Sequence, residues 1–67
     1  MIAYIAKGEW KGILDPDERG GQEEIFLAYS DEHARDKAPE IASAGGFKLQ
    51  QILKVTENGN VSIPLCG

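Results

Sequence analysis

Catalytic and cross-linking side chains are scarce in this sequence: one cysteine (Cys66), one histidine (His33) and one tryptophan (Trp10) among 67 residues. A single cysteine excludes an internal disulfide, and such usage suits a reducing compartment. One Cys and one His, far apart in sequence, exclude a Cys/His zinc cluster. Asp15, Asp17 and Glu18 fail as a calcium loop, because the position that needs a closing Glu is Phe26. Gly20-Gly21 and Gly45-Gly46 lack the Lys and Ser/Thr of a phosphate loop. His33 has no nucleophile beside it, and Cys66 has no basic neighbour to lower its pKa. No catalytic residue, metal or cofactor is expected. No apolar run reaches the length of a membrane span. Met1–Ala6 is too short for a signal-peptide core and has no basic residues before it. The reading is a soluble cytoplasmic protein that does not engage membranes.

Positive charge is also in short supply. Eleven acidic residues oppose seven basic ones, a net charge of −4. Residues 1–40 carry −5 and residues 41–67 carry +1. An acidic chain repels nucleic-acid backbones and is attracted to basic protein surfaces. A small domain also needs net charge simply to remain soluble.

What is present describes one domain spanning residues 1–67. Ile2–Lys7 alternates as a first strand, and Glu9-Trp10-Lys11 can continue it past Gly8. Residues 12–21 read as a long loop, with Asp15-Pro16-Asp17 as a turn and Gly20-Gly21 as breakers. Glu23–Tyr29 is a second strand, whose nearly continuous apolar run suggests that both faces are partly covered. Ser30 is an N-cap, followed by Asp31 and Glu32 at the positive end of a helix dipole. The helix runs toward Ala44, turning Ala34, Ala38, Ile41 and Ala42 inward, and Gly45-Gly46 stops it. Pro39 predicts a kink, or a break that opens a second short helical piece.

Phe47–Thr56 is a third strand. Phe47, Leu49, Leu53 and Val55 share one face, with Gln51 as a polar exception; Ile52 is the apolar exception on the other. Val61–Leu65 is a fourth strand, placed at an edge by Pro64. The favoured hairpin has a three-residue loop, Glu57-Asn58-Gly59, which pairs Val55 with Val61 and puts Gly59 in the left-handed conformation. The expected architecture is α+β: ββαββ, a four-stranded antiparallel sheet in order 2-1-3-4, with one kinked helix on one face.

The capped helix Ser30–Ala38 stands between the strands Ile25–Tyr29 and Leu49–Val55. This layout resembles small bacteriophage-encoded inhibitor proteins, among them compact anti-CRISPR proteins. The resemblance implies stoichiometric protein binding without catalysis. The function expected is an acidic inhibitor that occludes a basic nucleic-acid-binding surface of a bacterial defence or host complex, a CRISPR effector above all. Partner-binding candidates are Asp15, Asp17, Glu18, Glu23, Glu24, Asp31, Glu32 and Asp36, with Trp10 either at the core edge or an interface anchor. Such a protein binds a basic protein partner and not nucleic acid itself. The alternative is a generic interaction or assembly domain, with the exposed edge of strand two or four as its route to a dimer.

Overall fold

The computed structural model describes residues 1–15 and 17–65; Pro16, from the turn signature, and Cys66 lie outside it. Five elements follow in order: β1 (Ile2–Lys11), β2 (Arg19–Ala28), α1 (Asp31–Gly45), β3 (Lys48–Thr56) and β4 (Gly59–Ile63). They form one antiparallel sheet in order β2-β1-β3-β4, as expected. The helix packs on one face, where Ala34, Ala38 and Ala42 are buried against Tyr4, Ala6, Phe26, Ala28, Phe47, Ile52 and Ile63. Ile41 packs against this core from its margin. Side chains this small let a helix approach a sheet closely.

Both helix ends behave as their residues dictate. Ser30 Oγ accepts from the His33 backbone N–H at 3.2 Å. His33 Nδ1 in turn accepts from the Tyr29 N–H at 3.0 Å, and the Tyr29 and His33 rings stack at 5.5 Å. His33 thus reaches back as the Glu or Gln of a reciprocal cap does, but to the N–H of Tyr29, one residue before the cap. At the other end Gly46 adopts φ 74°, and the Phe47 N–H reaches the Ala42 carbonyl at 3.0 Å. Gln22 of β2 adds a side-chain donor to the Gly45 carbonyl at 3.1 Å. The helix is continuous through Pro39, so the second helical piece does not form. The strong caps and the buried alanine stripe outweigh the hydrogen bond that Pro39 cannot donate.

Three expectations need correction. First, β2 begins at Arg19, so the loop covers only residues 12–18. Gly20 pairs with Trp10 and Gly21 with Glu9. The two glycines are strand residues here because the Trp10 ring lies over Gly20, where a Cβ would come within 2.7 Å of it.

Second, the hairpin loop is the two-residue Glu57-Asn58. Thr56 pairs with Gly59, Lys54 with Val61 and Ile52 with Ile63. Gly59 does hold a positive φ, 117°, but as the first residue of β4. The buried Ile52–Ile63 pair decides the register. Third, β3 changes face part-way. Lys7 pairs with Gln51 but Gly8 with Leu49, leaving Gln50 as an extra residue in a β-bulge. A bulge offsets the alternation by one. Leu49 and Ile52 therefore both face the helix, while Gln51, Leu53 and Val55 face away. Gln51 and Ile52, just after the bulge, are regular residues of the shifted alternation, not exceptions.

Candidate functional site

The acidic candidates do not form one surface. Asp15, Asp17 and Glu18 gather at the tip of the β1–β2 hairpin. The Glu18 N–H bonds to the Asp15 carbonyl at 3.0 Å, Gly12 N–H to the Glu18 carbonyl at 2.7 Å, and Asp17 N–H to Asp15 Oδ1 at 3.0 Å. These bonds fold the loop into a tight turn and leave the carboxylates of Asp17 and Glu18 exposed. Asp31, Glu32 and Asp36 lie on the helix, whose first turn follows the opposite end of β2. The paired ends Lys11–Arg19 and Ile2–Ala28 are nine steps apart on the ladder, roughly 30 Å. Glu23 and Glu24 fall between, on opposite faces of β2. Glu23 pairs with Lys7 at 3.5 Å.

Asp31 is held by the fold. It accepts from the buried Tyr4 hydroxyl at 2.6 Å and meets Lys54 Nζ at 3.5 Å. The Tyr4 hydrogen bond, with help from Lys54, keeps its carboxyl below the usual carboxylate range. Burial, joined by the Asp31 hydrogen bond and charge, pushes the Tyr4 phenol up to about 12. Such a carboxylate is a structural link between helix and sheet. Trp10 is half-buried and packs on the edge of the core, beside a shallow cleft of about 450 Å³ that Lys11, Arg19 and Lys48 also line.

Two apolar features escaped the sequence reading. Ile13 and Leu14, beside the acidic tip, are each 99% exposed. Charged neighbours and a turn signature drew attention away from this pair. The second feature is the sheet face opposite the helix. The apolar run of β2 is not covered on both sides: Ile25 is 74% exposed and Leu27 49%. Ala3, Leu53 and Val55 continue this patch across β1 and β3, around the buried Ile5. The alternation in β2 was hidden because Phe26 and Ala28, facing the helix, are apolar too.

Charge follows the two faces as well. Lys7, Lys11, Arg19 and Lys48 project from the open face with Glu9 and Glu23, a net +2. The other charged side chains, on the helix side, loop and turn, are nine carboxylates and three cations, a net −6. Among the described residues no group of three His, Cys, Asp or Glu side chains is placed to hold a metal ion, and no helix is long and apolar enough to cross a membrane. No family model, no curated protein and no solved structure matches the chain.

Proposed function

We propose that the chain works by occupying the surface of another protein, without catalysis, and that the tip of the β1–β2 hairpin makes the contact. The observation that carries this reading is the pair Ile13 and Leu14, 99% exposed, set against Asp15, Asp17 and Glu18 on a seven-residue loop. Two large aliphatic side chains held in water are a standing cost that burial in a partner relieves, each worth roughly 1.5–3 kcal/mol. The adjacent carboxylates select a partner whose apolar pocket has a basic rim, and they raise the association rate by steering. A nucleic-acid-binding groove is one such surface, which keeps the acidic-inhibitor function within this reading. The loop contributes the anchors, and the dispersed carboxylates of the helix contribute only long-range field.

The test is a pull-down from bacterial lysate with the wild-type protein and two variants, Ile13→Ser/Leu14→Ser and Asp15→Lys/Asp17→Lys/Glu18→Lys. The expected result is one partner, captured at low salt, lost at high salt and lost with either variant. A partner retained by both variants, or direct DNA binding by the isolated protein at physiological salt, overturns the proposal.

A further inference from the structure

The open face of the sheet is a different surface from the hairpin tip. We infer that it is the interface of a homodimer, in which two copies pack sheet against sheet through Ile25, Leu27, Leu53 and Val55.

Area supports this first. A compact monomer of 7.3 kDa exposes about 4,200 Å² by the usual scaling with mass. This chain exposes 4662 Å². The excess, roughly 500 Å², is shared between the projecting hairpin tip and the uncovered sheet face. Four strands spaced about 4.8 Å apart, overlapping for about seven residues, span roughly 19 by 23 Å, or about 440 Å² before side-chain relief is added. Two such faces bury about 1,000 Å², the lower limit for a specific interface. The dimer is therefore concentration-dependent rather than obligate.

Charge then fixes the arrangement. The apolar rows, Ala3–Leu27 and Ile5–Ile25–Leu53, occupy one end of the face. Lys7, Lys11, Arg19 and Lys48 occupy the other, offset only by Glu9 and Glu23. A two-fold axis along the strands would stack the cationic ends on one another. A two-fold axis across the strands, at the level of Tyr4, lays each apolar end on its counterpart and sends the cationic ends outward in opposite directions. The contact is isologous and closes at two copies. It also places the exposed Met1, just beyond the apolar rows, opposite the Lys7–Glu23 row of the other copy.

Sedimentation equilibrium from micromolar to near-millimolar protein, with thermal melts beside it, tests the inference. The wild type is expected to pass from monomer to dimer across this range. Ile25→Lys and Leu27→Lys, at positions already exposed in the monomer, are expected to keep the wild-type circular dichroism spectrum and weaken dimerisation at least tenfold. Isotope-filtered NMR on a mixed dimer is expected to show contacts between the Ile25 and Leu27 methyls, and between the Leu53 and Val55 methyls, of different copies. A protein monomeric throughout, with or without affinity of this face for some other protein, overturns the inference. So does a dimer that both Lys variants leave intact, which would assign the contact to the edge of β2 or β4. Neither result bears on the hairpin-tip proposal, because the Lys variants leave Ile13 and Leu14 untouched.

Discussion

The Tyr4 hydroxyl donates to Asp31 Oδ1 at 2.6 Å, joining the central strand to the first turn of the helix across 27 positions of sequence. Each partner shifts the other in the direction that keeps the pair together: the phenol upward, the carboxyl downward. A phenol with a raised folded-state pKa supplies stability that is complete below pH 10.0 and is lost as pH rises through about 12. The thermal midpoint is expected to fall across that alkaline window, in step with phenolate absorbance. Tyr4→Phe should remove the Tyr4 part of the fall. On the acid side the sign reverses. The stability due to Asp31 is present above the ordinary carboxylate pKa and is lost as pH falls through the depressed value. Asp31→Asn should flatten this acid limb in a pH series of melts. An acid limb identical to that of the wild type would refute the assignment.

Charge reversal should separate structural from recognition carboxylates. Asp17→Lys/Glu18→Lys is expected to leave the thermal midpoint within a degree or two, since these carboxylates are exposed, whereas Asp15 Oδ1 accepts the Asp17 N–H of the turn. Once a partner is known, its association rate should drop most at low salt. Glu32→Lys, exposed in the first helical turn, should cost about 1 kcal/mol through the helix dipole. Asp31→Lys should cost more, because it also strands the Tyr4 hydroxyl and faces Lys54. Equal stability of the two helix variants would contradict the link described above.

Two glycines should fail for different reasons. A Cβ on Gly8 would run into the Lys48 carbonyl and come within 2.7 Å of the Phe47 ring. Gly8→Ala is expected to cost at least about 2 kcal/mol, because the obstacle is backbone at the bulge. Gly59 has open space around it, so Gly59→Val should cost on the order of 1 kcal/mol through its φ of 117° alone. Denaturant midpoints with unchanged slopes would measure both.

His33 gives a test of capping. Replacing it with Ala removes the acceptor for the Tyr29 N–H and the stacked ring, and should cost about 1 kcal/mol. His33→Gln should restore most of that loss by supplying the side chain usual in a reciprocal cap. Chemical denaturation of the two variants side by side decides the matter, and equal loss in both would rule the capping role out.

The elements were legible where local chemistry is decisive: Ser30 and Gly46 bound the helix, Ala34, Ala38 and Ala42 mark its buried stripe, and the strand order follows from connection lengths. What was not legible depended on long-range fit. The bulge at Gln50 has no signature of its own. It shows only in retrospect, as two neighbouring side chains that both seemed misplaced. Gly20 and Gly21 read as loop because nothing local says that Trp10 will lie over one of them. The candidate site was readable as an acidic loop. Its exposed Ile13 and Leu14 were not, because exposure is a property of the folded chain, and a pair of aliphatics reads equally well as core.

The strand order carries a consequence for how the molecule is made. β1 leaves the ribosome before both of its neighbours, yet it is an interior strand of the sheet, with β2 on one side and β3 on the other. Its hairpin with β2 is local, but its second edge waits for partners such as Lys54 opposite Tyr4, 50 positions later. Until most of the chain has emerged, Ile2–Lys11 presents an open row of backbone donors and acceptors beside apolar side chains. Translation that stalls before Lys48 would therefore release the most aggregation-prone form of this protein, a hairpin with an unfilled edge and no route to bury it.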